Sequence, residues 1–258
     1  MSNVFDQVMR PQDGVAWITG ASGGIGRALT LELASRGWTV HATARSAEKL
    51  EALAVVAGPG RVIPTPGDVT DPEAMARIVA EIEAEGPLAL AVLNAGVYLP
   101  MRAQEFDAAK ARKTFDVNLG GVVNALDPAM KAMIARGSGH VAITASVAGY
   151  GGLPQAAAYS ATKAGLIAMA ESLALDLMDL GVRISVINPG FVETEATAVN
   201  AFEMPFLMQP QEAAQRIADG LARPGFEIAF PRRFTWFLRL LNRLPNQLYF
   251  RAWRRLTA

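Results

Sequence analysis

Tyr159 and Lys163 stand four residues apart in Tyr159-Ser160-Ala161-Thr162-Lys163, and Ser146 lies thirteen residues before the tyrosine. The Ala- and Leu-rich stretch from Ala156 to Leu180 is predicted to be helical, and in a helix side chains at i and i+4 stack on one face. A phenol and an ammonium would then be neighbours. A nearby cation favours the ionised form of a tyrosine and draws its pKa down from about 10, which suits a group that must give and take a proton. Ser146 follows the apolar run Val141-Ala142-Ile143-Thr144-Ala145. It is expected at the carboxyl end of a strand, where open α/β sheets bind ligands. The same Tyr-x-x-x-Lys spacing also describes any exposed helical pair, so the elements around it must decide.

The amino-terminal quarter supplies such an element. Val15-Ala16-Trp17-Ile18-Thr19 reads as a buried strand, Gly20-Ala21-Ser22-Gly23-Gly24-Ile25-Gly26 as a turn, and Arg27 to Arg36 as a helix stopped by Gly37. Gly20 permits a tight turn, Gly24 lets backbone approach a pyrophosphate, and Gly26 lets the helix pack close to the strand with its amino terminus toward the phosphates. The spacing is G-x-x-x-G-x-G rather than the G-x-G-x-x-G of most dinucleotide folds.

Six further strands are predicted at Trp38–Thr43, Arg61–Thr65, Leu88–Leu93, His140–Ala145, Arg183–Ile187 and Glu227–Phe230, with helical runs between them. Such alternation predicts one α/β domain, a doubly wound, Rossmann-like, seven-stranded and mostly parallel sheet with helices on both faces. A chain of 258 residues without a linker fits a single domain over 1–258. The 24 basic residues balance the 24 acidic ones, leaving no overall field to attract nucleic acid. With no cysteine and only His41 and His140, disulfides, thiol catalysis and a cysteine or histidine metal cluster are not expected. The start lacks a signal-like pattern and no apolar run reaches the length of a bilayer span, so a cytoplasmic site is expected.

Together these motifs resemble the short-chain dehydrogenase/reductase family. Thr19 to Gly26, which includes Ser22 and Ile25, matches its cofactor turn; Asn94-Ala95-Gly96 matches its strand-stabilising motif; Asn118, Ser146, Tyr159 and Lys163 match its catalytic set. Pro189-Gly190, Val192 and Thr194 match the segment that closes over the nicotinamide, and Asp68-Val69 the adenine contact. The resemblance implies an NAD(P)-dependent oxidoreductase of the CH–OH/C=O type that works as a homodimer or homotetramer on a small molecule. Tyr159 would exchange the proton, Lys163 would hold the nicotinamide ribose, Ser146 would bind the substrate oxygen, and Asn118 would hold a water linking the lysine to solvent. The second strand ends Ala42-Thr43-Ala44-Arg45-Ser46 with no acid before Glu48. Arg45 and Ser46 therefore favour NADP(H) over NAD(H), since a base there accommodates a 2′-phosphate. Gly23 departs from the pattern, because many NADP-using relatives carry a basic residue just before the middle glycine.

By the same resemblance Tyr150, Leu153, Phe191 and a lid over 195–210 that includes Phe202 and Phe206 are expected to line the substrate pocket. Bulky apolar walls favour an apolar body with one carbonyl or hydroxyl handle. The last segment, 231–258, holds seven arginines and no acid. Its polar face is read as Arg232, Thr235, Arg239 and Asn242, then Gln247, Arg251 and Arg254 after Pro245; the apolar face is read as Phe234, Phe237, Leu238, Leu241 and Leu244, then Leu248, Tyr249, Ala252 and Leu256. This extension is expected to pack on the protein or on a second subunit. The alternative is peripheral contact with an anionic membrane. Two other functional readings stand beside the reductase: a non-catalytic NADP-binding sensor or scaffold, and a membrane-surface reductase of lipid-like substrates.

Overall fold

The computed structural model describes residues 7–195, 197–198 and 204–256. Seven strands form one sheet: β1 (Val15–Thr19), β2 (Val40–Thr43), β3 (Val62–Pro64), β4 (Leu88–Leu93), β5 (Gly139–Thr144), β6 (Val182–Pro189) and β7 (Glu227–Phe230). Every pairing is parallel and the order is β3-β2-β1-β4-β5-β6-β7. The winding therefore reverses between β1 and β4, and the crevice beyond their carboxyl ends is where such sheets take ligands.

The predicted strands are all present, trimmed or shifted by a residue or two. The helices are α1 (Gly24–Ser35), α2 (Ala47–Ala57), α3 (Pro72–Glu85), α4 (Ala108–Phe115), α5 (Gly121–Arg136), α6 (Ala157–Leu177), α7 (Pro210–Leu221), α8 (Arg232–Asn242) and α9 (Asn246–Leu256). Alternation along β1 sorts its side chains between two cores. Ala16 and Ile18 pack with α1, α2 and α7, whereas Trp17 packs with α3, α5 and α6. Helix α1 begins inside the glycine turn, three residues earlier than expected. Helices α4 and α5 are joined by one π turn over Asp116–Gly120 that carries Asn118, so the long run around this residue is helical but not uniformly α.

His41 and His140 are strand residues with almost no exposure. Burial lowers the pKa of both rings, and the His140 ring shares a 2.8 Å hydrogen bond with the Ser185 hydroxyl. They serve the interior of the sheet. Among the described residues no group of three or more His, Asp or Glu side chains is arranged to hold a metal, and no helix is long and apolar enough to cross a membrane.

Candidate active site

The glycine turn is held open by backbone approach. Gly20 has φ +70°, and a Cβ there would lie 2.8 Å from the Ala95 Cα; a Cβ on Gly26 would lie 2.1 Å from the Gly20 carbonyl oxygen. Only glycine permits both the positive φ and the close packing of α1 against the turn. Thr19 ties this turn to the tip of β4: its Oγ1 accepts the Asn94 and Ala95 amide hydrogens at 3.0 and 3.1 Å, and its carbonyl accepts from Asn94 Nδ2 at 3.2 Å. The amino terminus of α1 has no side-chain cap, which leaves its first N–H groups available to an anion.

Beyond these tips lies a cleft of about 2210 Å³, more than twice the upper size of about 1,000 Å³ for a pocket taking one drug-sized ligand. Gly20, Ser22, Gly24, Ile25, Gly26, Arg45, Asp68, Val69, Asn94, Ala95 and Gly96 line one end. Ser146, Tyr159, Lys163, Pro189, Gly190, Val192 and Thr194 also line it, as do Leu153 and Phe191. Among the described residues, four that the sequence predicted for the site fall elsewhere. Ser46 is outside the lining and caps α2, its Oγ accepting the Lys49 amide at 3.3 Å. Asn118 is fully buried behind the cleft: Oδ1 accepts the Val97 amide at 2.7 Å, and Nδ2 donates to the Val97 carbonyl at 3.0 Å and to Thr162 Oγ1 at 3.3 Å. Tyr150 turns away, its hydroxyl donating to Glu227 Oε1 at 2.5 Å. Phe206 is 58 % exposed and leans on Phe234 rather than facing the cleft. Phe202 lies outside the described residues.

The chemical centre is at the tip of β5 and the first turn of α6. Ser146 caps a short 3-10 turn, its Oγ accepting the Ala148 amide at 3.1 Å, and its hydroxyl lies near enough to the Tyr159 phenol to favour the ionised form. Lys163 Nζ lies 5.5 Å from the centroid of the Tyr159 ring and donates to the Thr144 carbonyl at 2.8 Å. Lys163 is 3 % exposed, and desolvation pulls its ammonium down to about 8. Desolvation also pushes the Tyr159 phenol up to about 12, against the opposing effect of the Ser146 hydroxyl, and the Tyr98 ring, centred 5.1 Å away, adds to the rise. The expectation of a phenol acidified by its lysine is therefore reversed in the protein by itself. The ammonium is spent on a backbone carbonyl and faces the ring rather than the hydroxyl, so burial dominates.

The wall opposite the sheet tips comes partly from residues outside the predicted pocket. Phe234, Phe237 and Leu238 of α8 and Trp253 of α9 line the cleft, together with Tyr98 and the cationic Arg102, Arg112 and Lys113. Their amphipathic pattern was visible in the sequence, but not which face meets the cleft. Helix α8 is also rotated from the expected orientation: Thr235 is buried with Phe234, Leu238 and Leu241, whereas Phe237 is 46 % exposed. In α9 Leu248, expected on the covered side, is 48 % exposed. A polar clasp explains the rotation. Arg239 is ion-paired with Glu227 and stacks 4.8 Å from the Tyr150 ring, Asn242 donates to the Tyr150 carbonyl, Asn188 donates to Glu227 at 2.7 Å, and Tyr249 donates to the Gly152 carbonyl at 2.8 Å. Arg239 and Asn242 thus reach back to the fold while remaining exposed, and the clasp holds the Glu227 carboxyl below its ordinary range despite partial burial.

Comparison with known proteins bears directly on this site. Residues 14–203 match the family model for short chain dehydrogenases. An uncharacterized oxidoreductase of Myxococcus xanthus is 41 % identical over 245 residues, covering 93 % of this chain and 96 % of that protein. The 3-oxoacyl-[acyl-carrier-protein] reductase of Thermotoga maritima is 33 % identical over 227 residues, 81 % of this chain and 90 % of that enzyme. A solved short chain dehydrogenase from Burkholderia cenocepacia in complex with NADP superposes with a TM-score of 0.82 at 28 % identity, covering 94 % of this chain and 98 % of that one.

Proposed function

The chain belongs to the short chain dehydrogenase family of oxidoreductases, and from that premise we propose that it is an NADPH-dependent reductase of carbonyl groups on apolar small molecules. The observation that carries this reading is the meeting of Ser146, Tyr159 and Lys163 in the same cleft as the glycine turn.

The cleft fits a dinucleotide. The uncapped start of α1 and the Gly20–Gly26 turn would cradle the pyrophosphate, Arg45 at the rim would meet a 2′-phosphate, and Asp68 and Val69 would lie along the adenine. Ala44 and Arg45 at the tip of β2 bring no carboxylate toward the ribose, which supports NADP, as does the NADP-bound Burkholderia relative. The Thr70 amide and hydroxyl hold the Asp68 carboxylate below its ordinary range, with Arg45 a weaker contributor, and both Asp68 and Arg45 line the cleft. When bound, the reduced nicotinamide supplies hydride to the carbonyl carbon. Tyr159, protonated throughout the neutral range, gives its phenolic proton to the oxygen, so C=O becomes CH–OH. Ser146 donates a hydrogen bond to that oxygen as negative charge develops on it. Lys163 would hold the nicotinamide ribose and stabilise the phenolate that remains. Asn118 acts behind them as a positioning residue, pinning Val97 and α6 through Thr162. Leu153, Phe191, Phe234 and Leu238 give the substrate end its apolar character. The protein is proposed to act as a homo-oligomer, supported by the exposed Val123 of α5 and Leu175 of α6.

A panel of ketones and aldehydes with NADPH and with NADH tests the reading. NADPH oxidation should depend on an apolar carbonyl compound. Arg45→Asp should lower the NADPH-to-NADH ratio of kcat/KM by about ten- to a hundredfold, the worth of a charge-assisted phosphate contact. An unchanged ratio would remove Arg45 from coenzyme choice.

A further inference from the structure

Helix α8 has two apolar faces, and its own fold uses only one. Phe234, Leu238 and Leu241 are buried against the protein, while Trp236 and Leu240, one turn apart on the other side, are 71 % and 59 % exposed and stand beside the half-exposed Phe237. In α9 Leu248 and Phe250 are 48 % and 66 % exposed. Arginines frame these residues at helical spacing: Arg232 lies one turn before Trp236, Arg233 one turn before Phe237, Arg243 three residues after Leu240, and Arg254 one turn after Phe250. All four are exposed. Apolar side chains interleaved with arginines on an outward helix face have the chemistry of a helix lying in the headgroup layer of a bilayer.

We propose that the outer face of α8 and α9 docks on an anionic lipid surface and sets the mouth of the cleft against the bilayer. Charge selects this occupant over a second copy of the chain. A two-fold interface places the same patch on both sides, and a segment with seven arginines and no acid would oppose itself. Phosphate-bearing headgroups supply the missing negative charge. Phe237 links the face to the site, being both 46 % exposed and part of the cleft lining. Carbonyl compounds dissolved in the bilayer would enter past Phe237 and Trp253. That substrate class rests on the reductase reading; the lipid contact does not.

The test is sedimentation of the full-length protein with vesicles of phosphatidylcholine alone and of phosphatidylcholine mixed with phosphatidylglycerol. The protein should pellet with the mixed vesicles only, and added salt should release it. Replacing Arg233, Arg243 and Arg254 together by Gln should weaken binding by at least about tenfold, and Trp236→Ser with Leu240→Ser should also weaken it, each with an unchanged melting temperature. Should either variant fold poorly, tryptophan emission gives the answer: it should shift to the blue on mixed vesicles in the natural protein, and the shift should be lost in Trp236→Phe. No binding to mixed vesicles, or binding indifferent to salt and to these changes, overturns the proposal. So does a dimer that the Trp236 and Leu240 changes convert to monomer, because the face then belongs to a second copy. Turnover enters none of these readouts, so a failed lipid contact and a failed reductase reading remain distinguishable.

Discussion

One wall of the cleft is made of short and polar side chains at the tips of β1, β4 and β5, while the opposite wall is made of aromatic and branched ones from the segment after β6 and from α8 and α9. The first wall is positioned by backbone: the Thr19 hydrogen bonds to Asn94 and Ala95, the Gly20–Gly26 approach, and the Lys163 bond to the Thr144 carbonyl. The second is positioned by packing of Phe234 against Phe191 and by the clasp around Glu227. Burial does different work on the two sides. At the sheet tips it desolvates an ammonium, which costs stability, whereas in the tail it removes Phe234, Leu238 and Leu241 from water, which adds stability. Chemistry and stability are thus assigned to opposite sides of one crevice.

The sharpest way to break this comparison is Tyr159→Phe. The change removes one hydroxyl from the chemical wall and leaves its backbone frame untouched. Turnover should fall by about 10³-fold or more, within the range for loss of a proton-transfer group. NADPH binding and the melting temperature should stay close to those of the natural protein. A variant retaining most of its rate on a good substrate would take the proton transfer away from Tyr159.

Phe234→Ala probes the other wall and should have the reverse profile. The ring is 8 % exposed and lies 5.7 Å from Phe191 and 6.1 Å from Phe206, centre to centre. Truncation of such a residue costs about 3 kcal/mol of stability. KM for an apolar substrate should rise with little change in kcat, because the lost contact is made equally in ground and transition states. If kcat fell as steeply as in Tyr159→Phe while stability held, the tail wall would be part of the chemical apparatus and the contrast would fail.

The two walls also differ in how far they could be read from sequence. The strand, turn and helix around Gly20–Gly26, the tip motif Asn94-Ala95-Gly96 and the set Ser146, Tyr159 and Lys163 occupy short windows, each tied to a strand end, so their convergence follows from the winding of a parallel sheet. The orientation of Tyr150 is not legible in sequence because its partner, Glu227, is 77 residues away and belongs to the far edge strand. Thr235 is buried and Phe237 half-exposed, opposite to the sequence pattern, because periodicity gives the width of an apolar stripe but not what covers it. Apolar residues surround most of α8, and the Arg239 and Asn242 contacts select its rotation together with the packing of Phe234 on Phe191. The raised Tyr159 phenol was illegible for a related reason. The i+4 spacing brings the lysine near the ring, but whether charge or desolvation wins depends on the Thr144 carbonyl that takes the ammonium.

The smallest expected effect is a gain rather than a loss. Lys163→Met should inactivate the enzyme yet stabilise the fold by about 1–2 kcal/mol, after allowance for the Thr144 carbonyl left without its donor. Burial lowers the Lys163 pKa from 10.5 to about 8, so the folded protein holds this proton less tightly than the unfolded chain. Below about pH 8 both states are protonated and the full penalty of the buried charge is present. Between about 8 and 10.5 the folded state releases the proton first, the unfolded chain binds more protons, and the stability of the natural protein rises with pH. The methionine variant has no such group. Its advantage in denaturant midpoint should be largest at neutral pH and should fade as pH approaches 10.5. A constant advantage across that range would mean that methionine simply packs better, and an immediate loss of stability would mean that the bond to Thr144 outweighs the desolvation. The first result would detach the gain from the buried charge, and the second would move Lys163 to the side of the cleft where burial supplies stability.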